Sequence, residues 1–329
     1  MHSPLPTAVA VLLAFAATAS GQAVVQRTVG AMGTWLELAV MAPDRARALA
    51  ASEAAVRAVA VVEGRLSTWR PESEIARANA SPVGVAFGLC PPTAADVRFA
   101  LAFARDSEGT FVPGLGALLD AYGMRGERRW PEPAALAAAR VASASGAIDL
   151  RGDALVRTAP TAWLATDALA KGIALREAAA AVRAAGAAAT FDFGGQWLVE
   201  GGTAMRVDLA HPDDRDRVVA TLQLQPGFSA SSSGNGERRV NVDGRAHGHL
   251  LDPRTGGFAV DFGSVTAVAA DPARADAAST ALFVAGPVAG IALARRLGVD
   301  AVFVVRRDGA AVQLVATEGM QALLNPRHP

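Results

Sequence analysis

From Phe191 to Ala270 the sequence passes through FDFGG, MRVDLA, VVATLQLQ, FSASSSG, RRVNV and SVTAVAA. These are short β-type runs separated by Gly, Pro or Asp turns, and no regular alternation of strand and helix patterns runs through them. A doubly wound parallel sheet needs that alternation, so the pattern favours an α+β chain with mixed or antiparallel sheets flanked by helices. The same preference holds at the other end. VVQRTVGAMGTWLELAV reads as two strands around a turn at Met32-Gly33-Thr34, with Trp35, Glu37 and Ala39 alternating against Leu36, Leu38 and Val40.

Helices punctuate these strands. Asp44 stands as an N-cap before an alanine-rich amphipathic stretch reaching about Gly64, and Thr93 with Asp96 caps a second that stops at Gly109. Further helices are expected from Pro272 to Ala285 and from Pro287 to Leu297. Thr166 or Asp167 can open another, which puts Lys171 in its first turn. That residue is the single lysine of the chain, all other basic side chains except histidine being arginine. Free N–H groups and the positive end of the helix dipole favour an anion there, and lysine adds a compact charge on a flexible stem.

With 329 residues, 51% of them hydrophobic, the chain can bury a sizeable core. Thirty-one basic and thirty-one acidic residues balance, which excludes the electrostatic footprint of a nucleic-acid or anionic-membrane binder and points to a small molecule or protein as partner. The apolar run from Ala8 to Ala19 is too short to span a bilayer and is followed by small residues, so residues 1–21 read as a cleaved signal peptide and 22–329 as the mature domain. No lipoprotein cysteine follows the run, and the expectation is an exported, periplasmic, soluble protein without a transmembrane segment. Cys90 has no partner for an internal disulfide and reads as a small buried hydrophobe.

Four segments can carry chemistry. In ADPARADAASTALFVAG, Asp276 and Thr280 lie four residues apart on one helix face, an oxygen pair suited to a hard cation such as Mg²⁺ and equally to solvent. In VDGRAHGHLLDPRTGG, His247 and His249 point the same way along an extended segment; a lone general base is simpler than a metal pair, and a surface histidine before an Asp-Pro turn is the plain alternative. SASSSGNGERR reads as a small-residue loop that a ligand can approach, with Arg238 and Arg239 to hold anionic groups, or as a solvated turn. The fourth is the helix start around Lys171.

In order, these segments resemble the FAD:protein FMN transferase (ApbE) family along nearly the whole mature chain. The resemblance is carried by Met32-Gly33-Thr34, LSTWRPESEIARAN, SEGTFVPGLGALLDAYG, Ala170-Lys171-Gly172, FDFGG, SGNGER, HLLDPRTG, SVTAVA and ADAASTALFVAG. It implies Mg²⁺-dependent transfer of the FMN half of FAD to a threonine of an exported acceptor protein, with release of AMP and the flavin nucleotide in a central cleft. It further implies Asp276, Thr280 and the Ala168 carbonyl as metal ligands and His249 as the base that deprotonates the acceptor. Met32, Trp69, Thr110, Phe111, Lys171 and Leu250 would line the flavin nucleotide, with Trp69 in place of the usual tyrosine. Two positions depart from the family pattern: Ala165 and Val112 stand where aspartates that contact FAD are usual, and Asp167 is close enough to replace one. Those departures keep two other readings open, an FAD pyrophosphatase giving free FMN and AMP, and a flavin-binding protein without turnover.

Overall fold

The computed structural model describes residues 21–236, 239–242, 245–309 and 311–326. The leader expected over residues 1–21 lies almost wholly outside them, as does Arg238. The chain opens on the hairpin β1 (Ala23–Ala31) and β2 (Thr34–Ala42), whose turn is Met32-Gly33. Both turn residues have positive φ, 49° and 74°, the twist that a two-residue hairpin turn requires.

Helix α1 (Arg45–Leu66) starts on Asp44, whose side chain accepts from the Arg47 N–H, and runs two residues past Gly64. It buries Ala48, Ala51, Ala55, Val59 and Val62, a stripe at three- and four-residue spacing. Then come α2 (Glu74–Asn79), β3 (Phe87–Gly88), α3 (Pro91–Asp106), α4 (Gly116–Ala121), α5 (Pro133–Ala142), β4 (Ile148–Arg151) and β5 (Ala154–Arg157). The expected cap of α3 is corrected. Its N-cap is Cys90, whose side chain caps no backbone N–H, because Pro91 and Pro92 leave little backbone N–H to satisfy in the first turn. Thr93 and Asp96 lie inside the helix and face inward, Asp96 accepting from Arg65 at 3.0 Å and Arg176 at 2.7 Å.

The second half contains α6 (Ala170–Ala184), β6 (Ala188–Phe193), β7 (Gln196–Glu200), β8 (Met205–His211), β9 (Asp214–Leu224), β10 (Ser229–Gly234), β11 (Arg239–Val242), β12 (Arg245–Gly248) and β13 (Gly263–Ala269). It ends with α7 (Pro272–Leu297), β14 (Asp300–Arg306), β15 (Val312–Ala316), α8 (Glu318–Leu323) and β16 (Leu324–Pro326). All six β-type runs read from the sequence are strands. The two helices expected after Pro272 form one element with a break where Gly286 takes φ 75°, ψ 170°, ahead of Pro287. By length and composition α7 could cross a bilayer, but 56% of its apolar window is buried inside the protein.

Eight strands form the central sheet in the order β1-β2-β6-β7-β10-β13-β14-β15, and every pairing is antiparallel. Its side chains alternate. Phe191 and Phe193 turn to the layer of α1, α6 and α7, as do Leu36, Leu38 and Phe303, while Val199, Ala230, Val268, Val302 and Val304 turn to the opposite face. There a three-stranded sheet, β16-β9-β8, packs Val207, Leu209 and Leu222 against them. Each fully buried Phe or Leu contributes about 1.5–3 kcal/mol, so the three layers are held chiefly by this alternation.

Candidate functional site

The site is built where α6 begins. Its N-cap is Leu169, without a side-chain cap, so the helix starts three residues later than Thr166. Thr166 instead donates its hydroxyl to the Leu66 carbonyl and turns the chain into the helix, and Lys171 sits in the first turn as the sequence suggests. The missing cap arrives from another element. Asp276, on α7, accepts the Gly172 N–H through Oδ2 at 2.9 Å. In an uninterrupted helix that N–H would go to the Ala168 carbonyl. No backbone N–H is paired with that carbonyl among the described residues, and Ala168 lines the same cleft as Asp276 and Thr280.

Close approach of the two helices makes this possible. A Cβ on Gly172 would lie 2.4 Å from the Pro272 carbonyl oxygen and 2.6 Å from Ala273 Cα, both backbone atoms. Gly172→Ala is therefore expected to push α7 from α6 and destabilise the fold by about 1–3 kcal/mol, read as a lowered Tm. Gln196, fully buried on β7, holds the same Pro272 carbonyl at 2.8 Å.

Asp276 is 5% exposed. Burial pushes its carboxyl above the usual range, opposed by the Lys171 charge, the Gly172 N–H and the Ser231 hydroxyl. Ser231 is a long contact to Oδ1, 3.4 Å, so that oxygen keeps acceptor capacity. Lys171 reaches across the cleft and donates to the Gly194 carbonyl at 2.9 Å.

One open cleft of about 2600 Å³ is lined by all ten residues to which the family resemblance gives a metal, base or flavin role: Met32, Trp69, Thr110, Phe111, Ala168, Lys171, His249, Leu250, Asp276 and Thr280. They contribute unequally. The Thr110 hydroxyl turns to the Ser107 carbonyl at 2.7 Å, and Phe111 is 3% exposed and packs edge-on against Phe103, so both offer the cleft little more than their edges. Trp69 is open, 63% exposed, with the Arg125 guanidinium 4.5 Å from its ring centre. Arg125 is also stacked on Trp163 at 4.0 Å, a cation between two indoles that sequence reasoning missed because the three residues are far apart in the chain. Ala165 and Val112 line the cleft, and so does Asp167, whose Oδ1 lies 3.5 Å from the Trp69 indole nitrogen.

Two expectations are corrected. His247 and His249 do not share a direction, because β12 ends at Gly248. His247 stacks on Phe258 with ring centres 4.7 Å apart and meets Trp130 edge-on, while His249 lines the main cleft. SASSSG is not a loop but β10, buried between β7 and β13. Its odd-numbered serines face α7: Ser233 and Ser231 lie 2.9 Å and 3.3 Å from the Ser279 hydroxyl. The β-type reading of FSASSSG, made beside the loop reading, is the one that holds.

The segment after His249 is tied down by a bidentate Asp252–Arg254 pair, both contacts at 2.9 Å. Arg254 also donates to the Val284 carbonyl at 3.0 Å, near the Gly286 break. The turn is thereby anchored to α7, the helix that carries Asp276.

The ApbE family model matches residues 32–303. This chain belongs to the ApbE family. A FAD:protein FMN transferase of Rhodobacter capsulatus is 33% identical over 266 residues, covering 78% of this ApbE chain and 50% of the relative. The chain thus spans about half the length of that protein. Another, from Treponema pallidum, is 30% identical over 262 residues, covering 73% and 72%. The apo crystal structure of the Pseudomonas stutzeri flavinyl transferase ApbE shares the fold with a TM-score of 0.80 at 28% identity, covering 92% of this chain and 97% of that one. The α+β architecture of this ApbE protein is accordingly that of its family.

Proposed function

We propose that this protein transfers the FMN half of FAD to an acceptor protein and releases AMP. The observation that carries the reading is the convergence on one cleft of Asp276, Thr280, Lys171, His249 and Ala168, whose carbonyl takes no backbone N–H among the described residues. The three oxygen donors suit Mg²⁺: one carboxylate, one hydroxyl and one carbonyl leave positions for phosphate oxygens, and none of the three is a soft ligand. When bound, the cation would neutralise charge developing on the pyrophosphate.

Lys171 fixes a diphosphate oxygen near the start of α6, where free N–H groups also favour an anion. His249 takes the proton from the acceptor threonine hydroxyl as that oxygen bonds to the FMN phosphorus. The bond from that phosphorus to the bridging oxygen breaks, and the bridging oxygen leaves with AMP. Trp69, Met32, Leu250 and the edges of Thr110 and Phe111 line the flavin nucleotide. Asp167 supplies a carboxylate to FAD where Ala165 has none to offer. The relatives' name, FAD:protein FMN transferase, supports the reaction class. Residues 1–21 supply an export signal and 22–329 the working domain in this reading, which places the enzyme and its acceptor outside the cytoplasm.

The test is incubation with FAD, Mg²⁺ and a threonine-bearing acceptor domain. Covalent flavin on the acceptor with equimolar AMP is expected. Free FMN and AMP without labelled acceptor would show a pyrophosphatase instead, and FAD binding without AMP would show a binding protein.

The raised pKa of Asp276 predicts how the cation binds. Between the ordinary value of 3.8 and the raised one, the cation-free protein holds a proton that the cation must displace. Mg²⁺ affinity is therefore expected to fall as pH falls through this window, and binding to release up to one proton. Calorimetry in two buffers of different ionisation enthalpy measures that release. An enthalpy independent of buffer throughout the window would remove Asp276 from the ligand set.

A further inference from the structure

Arg125 lines the cleft and has no part in the reaction proposed above, although several groups converge on its guanidinium. The loop that carries it is tightly wound. Gly123 follows α4 at φ 64°, where a Cβ would lie 1.9 Å from the Glu127 carbonyl oxygen, and the Gly126 N–H returns to the Gly123 carbonyl at 3.0 Å. That turn sends Arg125 back across the segment that follows α1. There its Nη1 donates to the Thr68 carbonyl at 2.8 Å and its Nη2 to the Thr68 hydroxyl. The planar fork also packs on the Trp69 and Trp163 rings, and Nη2 is 3.9 Å from Asp167 Oδ2.

The two indoles are not equivalent. Trp163 is a fixed wall: it lies over Gly116, where a Cβ would meet its ring at 2.1 Å, and its indole N–H donates to Asp120 Oδ2 at 2.7 Å. It is not among the residues that line the cleft. Trp69 is on the cleft side and exposed, in a turn where Ser67 Oγ accepts from the Trp69 and Arg70 N–H groups, both at 3.2 Å. Asp167 is exposed as well, and among the described residues its carboxylate meets Arg125 and the Trp69 indole nitrogen. An open indole and an open carboxylate each lose rotamer freedom when a ligand fixes them. A guanidinium packed on the one and paired with the other removes that cost in advance. Burial works against the Arg125 charge, and the carboxylates of Asp167 and Asp120 oppose that effect.

We propose that Arg125 is a positioning residue of the nucleotide site. Seated on Trp163, it presents Trp69 and the Asp167 carboxylate as one ordered surface for FAD, and acts on the nucleotide through them. The proposal rests on the reading of the cleft as an FAD site. It deepens that reading by naming what orders the two side chains that face the nucleotide where Ala165 and Val112 offer no carboxylate. Lysine would keep the charge beside Asp167 but neither the planar stack nor the paired bonds to Thr68.

The test uses the full chain and follows FAD binding by flavin fluorescence and AMP release at saturating FAD and Mg²⁺, with thermal unfolding as the check on folding. Arg125→Ala is expected to weaken FAD binding about tenfold or more while kcat changes by less than about threefold, the pattern of lost ground-state binding. Arg125→Lys is the gentler variant should the alanine fail to fold, and its affinity is expected to fall in the same direction. Trp163→Leu should weaken binding comparably although Trp163 lines no part of the cleft, whereas Trp163→Phe, which keeps an aromatic face under the guanidinium, should stay near wild type. Combining Arg125→Ala with Trp163→Leu should cost no more than Arg125→Ala alone, because both remove the same support. Unchanged affinity in the Arg125 variants overturns the proposal. Wild-type affinity in folded Trp163→Leu, or effects that add in the double variant, overturns it too, since Arg125 would then act by direct contact. If the wild-type chain binds FAD without releasing AMP, the transferase reading falls alone and the order of affinities still decides; if it does not bind FAD at all, both fall together.

Discussion

Asp276→Ala is expected to abolish cation-dependent AMP release from FAD, with a fold that remains close to wild type in stability. Two effects oppose one another in the folded chain. Losing the carboxylate removes the acceptor of the Gly172 N–H, and loss of an N-terminal helix cap costs about 1 kcal/mol. Removing a group whose charged form is disfavoured by burial offsets part of that cost. Activity has no such compensation, because Ala273, Ala275, Ala277 and Ser279 flank the position along α7 and none is an anionic donor. Asp276→Asn separates the roles. The amide oxygen still caps Gly172, so wild-type Tm with lost turnover assigns the defect to the charge. Full activity of the asparagine variant at low Mg²⁺ would show that Asp276 is only a cap.

His249→Ala is expected to lower transfer to the acceptor by about 10²–10⁴-fold, the contribution usual for a general base. FAD affinity should change little, since a base acts on the acceptor proton and not on the nucleotide. The pH profile gives the decisive signature: the wild-type limb that reports the base should vanish from the residual activity of the variant. His247 is the internal control. It lies against Trp130 and Phe258, outside the main cleft, so His247→Gln should leave the transfer rate near wild type. A fall confined to KM for FAD in His249→Ala would make it a nucleotide contact.

Signals in this sequence are legible where the physics is local. Asp44, Asp271 with Pro272, and Gly286 with Pro287 mark helix ends because caps and breaks depend on neighbours a few residues away. The FDF alternation likewise declares one face of β6. Ser229–Gly234 reads both as a strand and as a loop because small polar residues suit either, and Ser279, on a helix more than forty residues later, is what makes them acceptable in a buried strand. Thr93 and Asp96 imitate a cap, yet the proline pair before them already starts the helix, which frees Asp96 for two arginines. The ten candidate residues are picked out by the order of motifs, and they line one cleft. Their joint geometry is not legible in the same way: nothing local to either segment says that Asp276 will take a proton donor from Gly172, 104 residues away.

That exchange has a thermodynamic consequence. In the proposed site the three oxygen donors come from the start of α6 and from α7, so they converge only when those two helices are packed together. A cation bound by such a set has no counterpart ligand in the unfolded ensemble. Its binding energy is then added to the stability of the whole domain, about 2.7 kcal/mol at a hundredfold excess over Kd. Under the proposed function, the concentration of that cation would thus govern how long the folded protein persists as well as how fast it turns over.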